Sequence, residues 1–168
     1  YPVPSMRAEP SGSLTLNTRL RVTGQQGDFA ETPHGFVPAA HLRRLGNWHD
    51  DPAEVATLFL GVPYIWSGNS RDGLDCSGLV QAAMQACGLA CPRDSDMQAG
   101  IGQALDGSAP LERGDLVCWK GHVGMMLDAG TLIHANAHHM AVVAEPLEEA
   151  AARIEGAGGG PVTALRRP

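Results

Sequence analysis

The 168-residue chain has no excess of positive charge: 12 Lys and Arg stand against 18 Asp and Glu, for a formal net charge of −6. Its basic residues are scattered rather than gathered in a stripe. They leave no electrostatic footprint for phosphate backbones, so no nucleic-acid partner is expected. Long apolar runs are missing too. Stretches such as Val55–Tyr64 are too short to cross a bilayer, and no charged-then-apolar leader precedes a small-residue cleavage site, so no membrane partner is expected either. The first residue is Tyr1 rather than Met, which leaves an upstream segment open. Cysteine is sparse. Four residues, at 76, 87, 91 and 118, are too few for a disulfide-stapled scaffold and suit reduced thiols in an enzyme of the cytoplasm, the location this predicts. There are no internal repeats, and the one low-complexity piece is Gly156–Gly160.

What is present is a hydrophobic content of 43%, enough for one good core with room for a small second module. From Leu14 to Leu45 short β-rich runs (Leu14–Leu16, Arg19–Thr23, Phe29–Thr32, Phe36–Pro38) alternate with turn residues at 24–28 and 33–35. They predict a small antiparallel barrel. The expected division is a β-module over 1–46, a linker at 47–53 and a larger domain over 54–168. Asp51-Pro52 caps a helix running from about Ala53 to Leu60.

The larger domain opens on a loop, Pro63–Leu74. After Asp75-Cys76-Ser77-Gly78, the apolar residues Leu79, Val80, Ala83, Met84 and Cys87 recur at helical spacing, and Gly88 supplies a stop. Cys76 therefore falls at a helix N-terminus. Beyond the connection at 99–110 come four strand-like runs, Leu116–Trp119, His122–Leu127, Thr131–Ala135 and Met140–Ala144. Helices followed by an antiparallel meander predict an α+β architecture rather than a doubly wound one.

A thiol becomes a useful nucleophile when its thiolate is stabilised, and a helix N-terminus offers a positive dipole end and free N–H groups. Only Cys76 has that placement. Cys87 lies late on the helix, Cys91 precedes Pro92 and Cys118 alternates within a strand, so these read as small buried residues. Of seven histidines, His122 and His134 fall in strands. If residues 128–130 form a three-residue loop, Leu127 pairs with Thr131 and Gly124 faces His134. His122 is then diagonal to His134 on the same face, roughly 7–8 Å away between backbones, a gap two rings can bridge. A two-residue loop would put them on opposite faces. Gly130 favours the longer form, which wants a left-handed last residue. A helix-tip Cys, a His base and a second polar residue to hold that base would make a thiol triad. Periodicity alone leaves open two histidines that only pack or face solvent.

The order of six short blocks is more specific: Pro63-Tyr64-Ile65-Trp66-Ser67-Gly68-Asn69-Ser70, Asp75-Cys76-Ser77-Gly78-Leu79-Val80, Pro92-Arg93-Asp94-Ser95, Arg113-Gly114-Asp115-Leu116, His122-Val123-Gly124 and Ile133-His134-Ala135. Over about residues 53–145 they resemble the successive signature blocks of the NlpC/P60 cell-wall peptidases. Leu-Arg-Val-Thr-Gly at 20–24 and Gly-Phe-Val-Pro-Ala-Ala-His-Leu at 35–42 resemble a bacterial SH3-type module. The resemblance implies a papain-like fold and a cysteine endopeptidase similar to γ-D-glutamyl-diamino acid endopeptidases, which act on murein peptides with a free N-terminal L-Ala. By the same resemblance, Cys76 is the nucleophile, His122 the base and His134 its orienter. Tyr64 lies near the oxyanion or substrate, and Asp75 with Ser77 faces the substrate's amine. Ser67 stands where many members of the family have Gly, a minor departure, and one SH3-type module stands where such enzymes often carry two. No cofactor or metal is expected, and the oligomeric state is left open.

Three other readings compete. Cys87-x-x-x-Cys91 and Cys118-x-x-x-His122 have spacings within a zinc ligand's reach, though using His122 there would leave the catalytic blocks unexplained. A non-catalytic binder of cell-wall peptides would have no need of Cys76, His122 and His134 together, and a related thiol acyltransferase would share the general chemistry.

Overall fold

Gly27-Asp28 and Pro33-His34 are two-residue turns, and each reverses the chain onto the strand just formed. The result is β1 (Gly24–Gln26), β2 (Phe29–Thr32) and β3 (Gly35–Pro38), antiparallel in the order β1-β2-β3. Gly27, at φ 57, supplies the left-handed residue that the first turn requires. This computed structural model, which describes residues 1–168, divides the chain into two compact units, Tyr1–Trp48 and His49–Pro168. In the first unit the expected barrel is a three-stranded sheet, and no strand closes β1 onto β3. The runs Leu14–Leu16 and Arg19–Thr23, expected as strands, are irregular. Leu14 and Val22 are both exposed, so they have no core to align them. Gly24–Gln26, expected as part of a turn, is strand instead, because the reversal needs only Gly27 and Asp28.

The second unit begins as its capping chemistry dictates. The Asp51 carboxylate accepts the Ala53 N–H at 2.8 Å and Pro52 takes the first helical position of α1 (Pro52–Thr57), which ends short of the expected Leu60. After a two-stranded ribbon of β4 (Asn69–Ser70) and β5 (Gly73–Leu74) comes α2 (Cys76–Ala86). It stops at Gly88, φ 74, where the Gly88 and Leu89 N–H groups return to the carbonyls of Gln85 and Met84. The short helix α3 (Ser95–Gln98) and strand β6 (Gln103–Ala104) follow.

The main sheet contains β7 (Leu116–Trp119), β8 (His122–Met126), β9 (Thr131–Asn136) and β10 (Ala141–Pro146), close to the four expected runs. Two further elements come after them, α4 (Leu147–Gly156) and β11 (Ala164–Arg167). The strand order is β10-β9-β8-β7-β11-β6, with every pairing antiparallel. α2 packs against β8 and β9. A core of Val117, Trp119, Met126, Leu132 and Ala150 is covered by Leu147, Ala151 and Ile154 of α4. This helix anchors itself by an apolar i, i+3, i+4, i+7 stripe.

The β8–β9 hairpin has the register that the three-residue loop predicts: Met125 faces Ile133, Met126 faces Leu132, and the Leu127 N–H reaches the Thr131 carbonyl at 2.8 Å. The physical reason differs from the expected one. Gly130 is not left-handed; the Asp128 carboxylate shapes the loop by accepting the N–H groups of both Gly130 and Thr131, at 2.9 and 2.8 Å.

Candidate active site

Cys76 opens α2, and the residue before it caps the helix: Asp75 Oδ1 accepts the Gly78 N–H at 2.6 Å. Gly78 is required here by close approach, because a Cβ at that position would lie 2.3 Å from the Gly68 carbonyl oxygen. The loop carrying Tyr64 is thereby laid against the first turn of α2. Backbone bonds hold it further: Tyr64 N–H to Met140 O, Ile65 N–H to Leu74 O and Asp75 N–H to Gly68 O. Burial, with the charges of Cys76 and Asp75, pushes the Tyr64 phenol up, which places Tyr64 within electrostatic reach of the thiol.

Cys76 is buried, at 8% exposure. Burial pushes it up, the Val123 N–H pulls it down, the Asp75 charge pushes it up again, and the Ser77 and Cys76 N–H groups pull it down; the balance is upward. The helix tip therefore does not leave a resting thiolate, and a base has to take the proton. Cys91 and Cys118 are both pushed up to about 11 by burial, which at Cys91 outweighs a Gln98 side-chain hydrogen bond that pulls it down. All four cysteines are free.

His122 begins β8, one residue before the Val123 N–H that approaches Cys76. Its Nε2 lies 2.8 Å from Nδ1 of His134, with the ring planes at 63°. Burial first, then the charges of His134 and Arg153, push His122 down to about 3, so its ring is neutral at rest. His134 is fully buried and is also pushed down, burial outweighing the pull of Glu145. Trp119, opposite His122 in the β7–β8 ladder, lies with its ring tilted by 41° to that of His122 and the centroids 5.6 Å apart.

Three residues of this constellation were not anticipated from the sequence. Glu145 Oε1 sits 2.6 Å from His134 Nε2, and Arg153 grips both Glu145 oxygens at 2.7 Å. Asn136 Nδ2 is 3.0 Å from the same His134 nitrogen. Glu145 had a signal: Val143 faces His134 in the β9–β10 ladder, so Glu145 projects on the same face one step along. Arg153 had one too, in the apolar spacing of Leu147, Ala150, Ala151 and Ile154, which marks a helix and puts Arg153 within it.

Asp75 and Ser77, expected to face a substrate amine, are both turned to Arg93. Its Nη1 reaches Asp75 Oδ1 and Ser77 Oγ, each at 2.9 Å, while Nη2 reaches Asp75 Oδ2 at 2.7 Å and the Gly68 carbonyl at 3.3 Å. The carboxylate thus carries a bidentate guanidinium partner. No three or more His, Cys, Asp or Glu residues gather as metal ligands, and of the competing zinc set, His122 Nε2 is already engaged by His134.

Comparison with known proteins gives the family of the chain. Residues 61–153 match the NlpC/P60 family. A gamma-D-glutamyl-L-lysine dipeptidyl-peptidase of Bacillus cereus is 38% identical over 106 residues, covering 58% of this chain and 32% of that protein. Its Bacillus subtilis counterpart is 36% identical over 96 residues, covering 51% and 31%. The crystal structure of an NlpC/P60 family protein from Bacillus cereus superposes with a TM-score of 0.73 at 27% identity, covering 92% of this chain and 55% of that one. The chain spans about a third of the length of these curated relatives, 32% and 31%. With more than half of its residues matched, and with the α+β fold shared, the chain belongs to the NlpC/P60 family of cysteine peptidases.

Proposed function

We propose that the chain is a cysteine endopeptidase that hydrolyses the γ-D-glutamyl-diamino acid bond of murein peptides bearing a free N-terminal L-Ala. The observation that supports this reading is a helix-tip cysteine approached by the Val123 N–H, one residue after the His122 that pairs with His134. Two relatives act, by name, on γ-D-glutamyl-L-lysine as dipeptidyl-peptidases, which supports the choice of bond. Their counting from an N-terminus supports a free amine.

In the proposed reaction His122 takes the Cys76 proton as sulfur attacks the γ-carbonyl carbon of D-Glu. The oxyanion forms beside the N–H groups at the tip of α2, with the Tyr64 phenol as a further donor. Collapse expels the diamino acid, whose leaving nitrogen takes the proton from His122. Water, deprotonated by His122, then hydrolyses the thioester and frees Cys76. His134 holds His122 in orientation throughout.

Recognition of the L-Ala ammonium by Asp75 and Ser77 is part of the proposal, and the Arg93 clamp gives it a condition: the ammonium must share the carboxylate with the guanidinium. The N-terminal sheet is proposed as a bacterial SH3-type module on the strength of its sequence blocks and its antiparallel meander. A role in the recycling of wall peptides within the cytoplasm accords with four free cysteines; no helix is long and apolar enough to cross a membrane.

Mass spectrometry of digests of L-Ala-γ-D-Glu-L-Lys and L-Ala-γ-D-Glu-diaminopimelate tests the reading. The expected products are L-Ala-γ-D-Glu and the free diamino acid, absent with Cys76→Ala. Cleavage elsewhere, or normal turnover by Cys76→Ala, overturns it. Binding without cleavage would favour the wall-peptide binder, and transfer to an added amine the acyltransferase. Equal rates on the N-acetylated peptide would remove the amine from the proposal.

A further inference from the structure

We propose that Glu145, clamped by Arg153, is a positioning residue that sets the tautomer of His134 and, through it, that of His122. This rests on the cysteine-peptidase reading above, and the argument is one of proton accounting. Both Glu145 oxygens accept from Arg153 at 2.7 Å, so the carboxylate is ionised and can only accept. An acceptor 2.6 Å from His134 Nε2 requires the ring proton there. A neutral His134 then has a lone pair on Nδ1. That lone pair faces His122 Nε2 at 2.8 Å, so His122 must carry its proton on Nε2. The nitrogen left bare is His122 Nδ1, free for the thiol proton. When it takes that proton, Nε2–H stays on His134 and nothing else moves. Arg153 cancels the Glu145 charge, so the pair orients the rings without adding net charge beneath them.

Asn136 makes the opposite assignment. Its Oδ1 accepts the His139 N–H at 2.8 Å and faces His139 Nδ1 at 3.1 Å, which leaves an NH2 group 3.0 Å from His134 Nε2. Were that group the partner of Nε2, the proton would sit on His134 Nδ1, and His122 would carry its own proton on Nδ1, blocking the base. The shorter contact to an ionised carboxylate prevails. Removing Glu145 leaves Asn136 alone with Nε2 and favours the blocked pair.

Nitrogen-15 NMR of the histidine-labelled full chain near neutral pH reads the tautomers directly, without substrate. Both His134 and His122 are expected to carry their single proton on Nε2; an Nδ1 proton on either ring, or a doubly protonated His134, overturns the proposal. Glu145→Ala should lower kcat about ten- to a hundredfold with little change in KM, while Glu145→Gln, which can still turn an oxygen to Nε2, should stay within about threefold. Glutamine as damaging as alanine, in a folded protein, would mean that charge and not tautomer matters. The alkylation rate of Cys76 by iodoacetamide, followed on its own peptide by mass, should show the same ranking. The NMR and alkylation readings hold even if murein peptides prove not to be the substrate, which separates failure of this proposal from failure of the function.

Discussion

The guanidinium of Arg93 holds both oxygens of the Asp75 carboxylate, at 2.9 and 2.7 Å, one residue before the Cys76 thiol. The pair does two things at once. It ties the residue that caps α2 to the segment before α3, and it balances a negative charge that opposes thiolate formation at Cys76. Without Arg93 the carboxylate would be buried with only the Gly78 N–H and the Ser77 hydroxyl as partners.

Arg93→Met should therefore cost about 2–4 kcal/mol, as expected when one member of a mostly buried ion pair is removed. It should also shift the pH dependence of Cys76 alkylation upward, because Asp75 is no longer balanced. Arg93→Lys should recover only part of either effect, since an ammonium cannot grip two oxygens in the same plane. Chemical denaturation and alkylation at several pH values check this. An unchanged alkylation profile in Arg93→Met would show that the clamp serves only the fold.

The two histidines should separate by kinetics. His122→Ala removes the base itself, a loss of about 10²–10⁴ in kcat. His134→Ala should cost less, because water can enter the vacated space and accept the Nε2 proton of His122. Steady-state kinetics on a cleaved murein peptide give the order, and a larger loss for His134→Ala would reverse the assignment of base and orienter.

Acid stability follows from the buried rings. His122 is pushed from 6.5 down to about 3, chiefly by burial, so between those values the unfolded chain binds a proton that the folded chain refuses. Stability contributed by the neutral ring is complete above the unfolded value and is lost as pH falls toward the folded one. His134 acts in the same direction. His122→Asn should then lose less stability than the parent between about pH 7 and about pH 5, before most carboxylates titrate. Urea midpoints measured across that range decide it; parallel slopes would mean that His122 is not held neutral.

The site was legible in the sequence where local pattern and loop length determine geometry. Helix spacing after Cys76 and the ladder of a three-residue loop were enough to bring His122 and His134 to one face. The loop's cause was misplaced, since Asp128 rather than Gly130 organises it. Less was legible where a residue's partner lies far along the chain. Arg93 reaches back 18 residues to Asp75, and Arg153 meets Glu145 from a helix beyond the last signature block. Long polar side chains read as solvated surface until the fold supplies a buried carboxylate for them. In the N-terminal unit, exposed residues such as Leu14 and Val22 looked like strand because β-propensity marks a type of residue and not a neighbour to pair with.

Ser67 offers a last test, of the loop that carries Tyr64. Ser67 adopts φ 63, the left-handed region that costs a side-chain-bearing residue about 1–2 kcal/mol. Glycine would relieve that strain but would free the unfolded chain by about 0.4–1 kcal/mol. The difference leaves Ser67→Gly more stable by up to about 1.6 kcal/mol. Ser67 is exposed, so no packing change should obscure the effect. Ser67→Val should move the other way, because a β-branched side chain tolerates this conformation worst. Denaturation midpoints ranked glycine, serine, valine would confirm the strain. A valine variant as stable as the parent would mean that the loop takes another backbone path than the left-handed one at Ser67.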